Sequence, residues 1–319
     1  MFANIFVTLG NIGKSFLYFK TMATLRDIKQ RIVAVKNTSK ITSAMRMVAA
    51  AKLRRAQEAI LAARPYSKKL SEILGNLASS VEEDYYHPLL RRPQKIRSVA
   101  VIVISSDRGL CGSFNSNVLR IAGQRVKSGI QQEFPDAQVS VIAVGKRSVQ
   151  FFQRQSIPVI AAFPDIFQKL RFGTAQELAE IVLNGFSEEK FDHVEVIGNQ
   201  FRSVMRQEVM TEQLLPIERK NQQETKKSVS GEQSDYIFEP SRGDIMDTLL
   251  PKYLTNQLWR SLLDSNAAEN AARMVAMEAA TKNSKDLIKA LQLKFNNLRQ
   301  AAITKEMLEI VGGAEALKN

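Results

Sequence analysis

A single long helical pattern dominates the carboxyl-terminal part of the chain. From Ile245 to Val311 no glycine interrupts the run, and its one proline, Pro251, lies near the start. The pattern corresponds to roughly 60 residues, or about 90 Å of helix. A globular domain about 40 Å across cannot enclose a helix of this length. The sequence therefore predicts a helix that extends beyond a globular body and ends at Gly312–Gly313.

A second long helix is predicted near the amino terminus. Thr24, with Asp27 three residues later, is close to a capping box and marks the expected start. The first apolar residues have the spacing of a coiled-coil seam: Leu25, Ile28, Ile32 and Val35. The seam then continues through small or polar residues that let another helix approach closely: Ser39, Thr42, Ala49 and Ala56.

Pro65 interrupts the helical pattern of this amino-terminal segment. The helix would run about 60 Å to Arg64, and the proline is expected to kink or break it before the pattern resumes. Two long helices at opposite ends of one chain bury their seams most economically by pairing with each other, antiparallel.

The hydrophobic period changes between the two helices. The runs SVAVIVIS, QVSVIAVG and DHVEVIGNQF are short, rich in β-branched residues and apolar on both faces, which is typical of buried strands. Helical patterns near 117–129, 146–154 and 173–187 lie between them, and EVMTEQLLPI is a further expected strand. This alternation predicts an α/β sheet with mainly parallel strands.

The net charge of +13 is concentrated at the ends of the chain. Residues 23–80 hold 12 Lys or Arg against 3 Asp or Glu, and residues 250–319 hold 10 against 7. The strongly basic first helix indicates a partner that carries acidic groups. Nucleic acid is the rival partner, but this helix has few aromatic residues to stack on bases and no recognised DNA-binding motif.

The segment SSDRGLCGSFNSN, residues 105–117, allows three interpretations. A phosphate cradle would need more glycines than the G-x-x-G of Gly109 and Gly112, or a Lys-Ser/Thr pair. A Cys111 nucleophile would need a histidine base, and the two histidines, His87 and His193, lie in unrelated segments. The favoured interpretation is a strand-to-helix turn, with glycine where backbone torsions require it and Asn115 or Ser116 capping the next helix. With one cysteine and two histidines, a metal site is not expected.

Three stretches together give the chain a resemblance to the gamma-subunit family of F-type ATP synthases, from about Ala23 to Leu317. They are IKQRIVAVKNTSKITSAMRMVAAAKLRRAQ, SSDRGLCGSFNSN and LRQAAITKEMLEIVGGAEA. The last fits the family signature at these positions: Ile303, Thr304, Glu306, Glu309, Gly313, Ala314 and Ala316.

The resemblance implies a rotor shaft that is not itself an enzyme. In the family, the terminal helices form an antiparallel coiled coil inside a hexamer of alpha and beta subunits, and a Rossmann-like α/β domain forms a foot on the membrane rotor ring. Proton flow turns ring and shaft, and the asymmetric shaft changes the nucleotide affinities of the beta subunits. The implied partners are alpha, beta, an epsilon-type central-stalk subunit and the ring. This chain is expected to bind neither Mg nor ATP, to hold no cofactor and not to insert into the membrane.

The resemblance also assigns site residues. Met45 matches a position near the acidic lever of beta, while Arg299, Gln300 and Thr304 match positions that hydrogen-bond its catch loop. Tyr236, Phe238 and Glu239, in DYIFEP, are candidates for contact with the ring. From charge alone, an acidic collar would suit three cations two turns beyond Met45: Lys52, Arg54 and Arg55. For Met45 and Met47, packing in the core is the competing interpretation.

The resemblance gives the following division of the chain. Residues 1–22 are an extension, 23–81 the first coiled-coil helix, 95–218 the Rossmann-like domain, 219–241 a polar loop and foot contact region, and 242–319 the second coiled-coil helix. The extension is arginine-free through residue 21, and is either a weak targeting sequence or residues upstream of a start at Met22. This favours the cytoplasmic face of a bacterial plasma membrane, with the matrix side of the mitochondrial inner membrane as the alternative.

Two functions of other classes remain as alternatives to the rotor subunit. One is a stand-alone α/β nucleotide-binding enzyme with helical arms, and the other is a basic coiled-coil protein that binds nucleic acid. The absence of a phosphate-binding motif and the near-neutral charge of the middle segment count against the enzyme.

Overall fold

The computed structural model describes residues 24–80, 87–217, 239 and 241–316. The helices are α1 Leu25–Ser80, α2 Phe114–Gln124, α3 Ile130–Glu133, α4 Lys146–Arg154, α5 Phe172–Ser187 and α6 Arg242–Ala316. The strands are β1 Ser98–Ile104, β2 Gln138–Val144, β3 Val159–Phe163, β4 His193–Phe201 and β5 Gln207–Leu215. A π-helical turn, Arg125–Gly129, joins α2 to α3. No helix in the described ranges is long and apolar enough to span a membrane.

The five strands form one mixed sheet in the order β3-β2-β1-β4-β5. The first four run parallel, and β5 pairs antiparallel with β4. The expected α/β fold is therefore confirmed, including the strand at EVMTEQLLPI. The edge strand β3 was not predicted, because it has only five residues and alternates between half-buried and exposed positions.

Helices cover both faces of the sheet. Val99, Val101 and Val103 of β1 pack against α2, α3 and α4, whereas Ala100, Ile102 and Ile104 pack against α5, α6 and the end of α1. All six of these side chains are buried. A strand enclosed on both faces must be apolar at every position, which explains the unbroken hydrophobic run in the sequence.

The described chain divides into two compact units. The larger comprises Met45–Met277, and the smaller comprises the residues up to Ala44 and from Glu278 onward. In the larger unit, α1 and α6 pack antiparallel through a cluster of small and apolar side chains: Leu53, Ala56, Ala267 and Ala271. Further along the same pair, the Asn256 amide donates to the Ser67 hydroxyl at 2.8 Å.

The same two helices meet in the smaller unit. The hydroxyls of Thr42 and Thr281 are 2.7 Å apart, and Ile28 and Leu291 are buried. The expected capping box is confirmed, because the Thr24 amide donates to the Asp27 carboxylate at 3.0 Å and the Asp27 amide donates to the Thr24 hydroxyl at 3.2 Å.

The expected helix end at Gly312–Gly313 was wrong, and of the two effects expected of Pro65, a kink or a break, the break does not occur. Helix α1 runs through Pro65 without ending. The proline is exposed, so water can solvate the carbonyl that loses its donor, while buried Leu70 and Leu74 hold the following turns in the core. Helix α6 likewise passes Gly312–Gly313 and ends at Ala316, since glycine costs a helix only about 1 kcal/mol per residue.

One carboxyl group is buried between α6 and the sheet. The side chain of Asp264 is 16% exposed, and its Oδ2 lies 3.9 Å from the Nε of Arg260. Burial raises its pKa to about 6, and the charge of Glu212 on β5 adds to this. Arg260, Arg64 and Arg202 oppose the rise without cancelling it.

Gly145, between β2 and α4, has a φ of +88°, and a Cβ there would lie 2.1 Å from the Ser105 carbonyl oxygen. We expect Gly145→Ala to lower the free energy of unfolding by about 3 kcal/mol, because both strain and overlap oppose it. The matched control is Gly75→Ala, where no atom lies within 4 Å of the new Cβ. Urea unfolding of the purified chain measures both, and equal stability of the two variants would contradict the expectation.

Asp264→Asn should change how stability depends on pH. The folded pKa of Asp264 lies above its ordinary 3.8, so its stabilising effect is complete below pH 3.8 and is lost as pH rises through about 6. The asparagine stays neutral, so we expect the variant to be more stable than the parent at pH 8, by up to about 3 kcal/mol, with the gap closing near pH 4. Urea unfolding at both pH values tests this.

Asp286→Asn, at an exposed carboxylate of the same helix, is the control for the Asp264 experiment. Parallel pH profiles for the parent and Asp264→Asn would show that the expectation is wrong.

Candidate functional site

The loop that follows β1 is held by its own polar side chains. The Asp107 carboxylate, only 8% exposed, accepts hydrogen bonds from three backbone amides, those of Lys146 at 3.0 Å, Asp165 at 2.9 Å and Phe167 at 3.0 Å. It therefore ties together the loops after β1, β2 and β3. The hydrogen bonds of this carboxylate therefore serve to hold the three loops together.

The turn into α2 differs from the expected capping. The helix begins at Phe114, and its N-cap residue Ser113 makes no side-chain cap. Asn115 instead accepts a hydrogen bond from the Ser106 amide at 3.0 Å, so the predicted capping by Asn115 was wrong. Ser116, also predicted as a cap, lies inside the helix and donates to the Ser113 carbonyl at 3.0 Å. The asparagine braces the loop, because Ser106 lies within its reach once the turn has closed.

The backbone favours glycine at one of the two motif positions. Gly112 has a φ of +59°, which an L side chain adopts only with strain. Near the other glycine the left-handed residue is Leu110, with a φ of 64°. The loop is therefore a tight turn in which the backbone torsion at position 112 favours glycine.

Cys111 lies in a setting unsuited to a nucleophile. Its side chain is buried, and burial raises the pKa of the thiol. The Asn115 amide donates to its sulfur at 3.2 Å. Both histidines have other neighbours: His193 lies 3.0 Å from Glu195, and His87 lies 3.8 Å from Asp247. In the described residues no three His, Cys, Asp or Glu side chains cluster as metal ligands would.

Helix α6 fills the place where this kind of sheet commonly binds ligands. In open α/β sheets that place is the crevice beyond the carboxyl ends of the strands where the strand order reverses, here between β1 and β4. Cys111 and Phe114, after β1, and Phe201, at the end of β4, pack against Ala268 and Ala272 of α6. The crevice is occupied by the protein's own helix.

Arg273 and Glu269 of α6 secure this contact. The guanidinium Nη1 of Arg273 donates to the Gly109 carbonyl oxygen at 2.6 Å, and its Nη2 pairs with the Glu269 carboxylate one turn earlier. The two side chains are 13% and 10% exposed. This pair was not predicted, although two opposite charges at i and i+4 within the alanine-rich run NAAENAARMVA are a usable signal.

The residues predicted to contact the beta subunit from α1 lie together on one stretch of helix. Met45 is half-buried, while Met47 is exposed. Lys52, Arg54 and Arg55 are exposed, and we call these three cations the basic surface. Within α1, Arg54 pairs with Glu58 at 3.1 Å.

The predicted catch residues lie at the far end of α6. Arg299, Gln300 and Thr304 are all exposed, and the Thr304 hydroxyl donates to the Gln300 carbonyl at 3.0 Å. Every residue from 299 to 315 is exposed, and we call this segment the exposed α6 end. It carries five large apolar side chains that were not predicted as site residues: Ile303, Met307, Leu308, Ile310 and Val311. The signal was present as the run MLEIV, which continues an apolar pattern into the exposed α6 end.

Of the three residues predicted to contact the rotor ring, the structure describes one. Tyr236 and Phe238 lie outside the described residues. Glu239 is described and exposed.

The comparisons with known proteins agree on one family. The family model for ATP synthase matches residues 24–317. The ATP synthase gamma chain of Chlorobium limicola is 46% identical over 298 residues, covering 93% of this chain and 100% of that protein. The gamma chain of Chlorobium phaeobacteroides (strain DSM 266) is 46% identical over 299 residues, with the same coverage.

Solved structures show the same fold. The central stalk and c-ring structure of the Tetrahymena thermophila mitochondrial ATP synthase holds a chain with a TM-score of 0.56 and 25% identity, covering 75% of this chain and 99% of that one. A chain of the Euglena gracilis mitochondrial ATP synthase has a TM-score of 0.62 and 18% identity, covering 92% and 94%. Together, the family match, the curated relatives and the helix pair beside a five-stranded sheet show that this chain belongs to the ATP synthase gamma-chain family.

Proposed function

We propose that this chain is the non-catalytic central-stalk subunit of an F-type ATP synthase. It couples proton flow through a membrane rotor ring to ATP synthesis in a hexamer of alpha and beta subunits. Its proposed partners are that hexamer, an epsilon-type central-stalk subunit and the ring. The relatives named ATP synthase gamma chain support this assignment.

The exposed α6 end is the single observation that carries the proposal. Its large apolar residues are 50–68% exposed, and no described residue of this chain covers them. Monomeric proteins rarely expose a contiguous apolar surface of this kind, which usually marks an interface. A close-fitting sleeve of other subunits would cover all sides of such a helix.

The division of labour within the chain follows from the same proposal. Residues 23–81 and 242–319 act as the shaft, residues 95–218 as the foot domain, and residues 219–241 as the contact with the ring, through Tyr236, Phe238 and Glu239. Residues 1–22 take no part in the shaft.

The proposed beta-subunit contacts are of two physical kinds. Arg299, Gln300 and Thr304 offer exposed hydrogen-bonding groups. The basic surface offers charge, with Met45 as a half-buried neighbour on the same helix. Charged groups across an interface govern association rate and partner choice more than affinity alone.

The non-catalytic role rests on what occupies the usual ligand position. The crevice between β1 and β4 is filled by side chains of α6, and Asp107 is engaged by three amides. Nucleotide chemistry then belongs to the partner subunits. The bacterial relatives favour the cytoplasmic face of a plasma membrane as the site of peripheral attachment.

The double substitution Arg299→Ala with Gln300→Ala tests the catch role. We expect ATP hydrolysis by the reconstituted complex to fall about tenfold, because two hydrogen-bonding side chains are lost from a contact that recurs at every step. The matched control is Arg120→Ala with Gln124→Ala, an exposed Arg–Gln pair on α2. Unchanged hydrolysis in the first variant, with normal assembly, would overturn the assigned role.

The basic surface is tested by removing charge. Lys52→Gln with Arg55→Gln should slow association with the alpha–beta hexamer about tenfold at low salt, and the effect should shrink as salt screens the charges. Lys127→Gln with Arg120→Gln removes the same charge from exposed positions on the sheet domain. Equal rates for the two variants would refute the assignment, and preferential loss of DNA binding would favour the nucleic-acid alternative.

A further inference from the structure

The contact between the loop after β1 and helix α6 is built from buried charge. Arg273 bonds the Gly109 carbonyl oxygen and the Glu269 carboxylate at once. Both side chains are almost fully withdrawn from water. Burial raises the pKa of Glu269, and the neighbouring Arg273 opposes that rise. A pair of this kind is costly to break from one side, because the remaining charge would be buried without a partner.

The same loop is anchored to the sheet at its other end. Asp107, two residues before Gly109, binds the amides of Lys146, Asp165 and Phe167. The three-residue backbone segment from Asp107 to Gly109 therefore connects two sets of hydrogen bonds, one to Arg273 of α6 and the other to the loops after β2 and β3.

Close packing accompanies these polar contacts. A Cβ at Gly112 would lie 3.7 Å from the Cβ of Ala276, and Cys111 and Phe114 pack against Ala268. The loop thus contacts α6 between positions 268 and 276, which is more than two helical turns. The earlier part of α6 is already held in the core of the sheet through Leu254, Leu258 and Leu262. The contact with the loop extends that hold to position 276, so a twist of α6 against the sheet beyond Leu262 must also break the contacts with the loop.

We infer that Arg273 is a positioning residue that locks α6 against rotation relative to the sheet domain, so that torque passes between foot and shaft through the Gly109 loop. This inference rests on the proposed rotor function. It adds to that function a specific point of torque transmission, the contact between Arg273 and Gly109. This contact lies outside the exposed α6 end.

The test uses the whole chain assembled with its partner subunits in proteoliposomes. The variant is Arg273→Ala with Glu269→Ala, which removes both charges and leaves neither buried alone. Two quantities are measured, the rate of ATP hydrolysis and the number of protons pumped per ATP hydrolysed. We expect hydrolysis to stay within about twofold of the parent and pumping per ATP to fall about fivefold, because one charged hydrogen bond and one ion pair are lost from the load path.

A covalent replacement separates torque transmission from mere stability. Gly112→Cys with Ala276→Cys, added to the double variant, places two Cβ atoms 3.7 Å apart, a separation that suits a disulfide. The positive φ of residue 112 strains any L side chain there, so the reduced form of the same variant, which carries the same strain, is the matched control. Thiol titration of the isolated chain after unfolding in urea should then find only the thiol of Cys111. Oxidation is expected to restore pumping per ATP, and reduction to abolish it again. Unfolding of the free chain in urea reports stability independently.

The outcomes distinguish this inference from the proposed function. If the parent chain neither assembles nor couples, the rotor function itself fails. If the parent couples and the double variant pumps equally well per ATP, only the role of Arg273 is overturned. If the disulfide restores stability but not pumping, Arg273 acts on the fold alone and the inference is again overturned. If the double variant does not assemble, Arg273→Lys replaces it in the same measurements, because the lysine keeps a positive charge beside Glu269.

Discussion

The close approach of α1 and α6 is the constraint on which the larger unit depends. Their contact is built on Leu53, Ala56, Ala267 and Ala271, and alanine side chains let two helices pack at the short end of the usual 8–10 Å separation. Each alanine buries little area, so the pair gains stability from many such contacts rather than from a few large ones. The sheet adds to this, because Leu254, Leu258 and Leu262 of α6 belong to its core.

Helix α6 therefore serves two structures at once. Its first part is a core element of the sheet domain, and between Ala267 and Ala271 it faces both α1 and the loop after β1. This double use explains why nearly every residue from 262 to 271 is buried, a pattern no amphipathic stripe would give. It also accounts for the filled crevice that binds cofactors in similar sheets, because alanines of the same part of α6 pack against the residues that follow β1 and end β4.

Much of the fold could be predicted from the sequence, because its main signals are periodic. The spacing of Leu25, Ile28, Ile32 and Val35 indicated the helix seam, and the unbroken apolar run of β1 indicated a strand covered on both faces. Signals that depend on distant residues were missed. Arg273 donates a hydrogen bond to Gly109, 164 positions away, and the sequence around either residue does not indicate this contact. Pro65 was expected to kink or break α1. Local propensity takes no account of the core packing on either side of the proline, which favours a continuous helix.

Family resemblance assigned Met45, Arg299, Gln300 and Thr304 to the candidate site, whereas charge alone indicated Lys52, Arg54 and Arg55, and all of these assignments stay predictions. Lys52, Arg54, Arg55, Arg299, Gln300 and Thr304 are surface residues whose chemistry becomes specific only opposite a partner, and the fold of one chain does not contain that partner. The sequence loop that looked most like an active site, residues 105–117, proved to be structural once Asp107, Cys111 and Asn115 were seen to be engaged within it.

The burial of Cys111 also makes this protein convenient to label. It is the only cysteine in the chain, it is 1% exposed, and its raised pKa keeps the thiol protonated at neutral pH. Maleimide or disulfide reagents should therefore pass it by in the folded chain. A single cysteine introduced at any exposed position would then carry a fluorophore or a spin label with little background, without first removing the native residue.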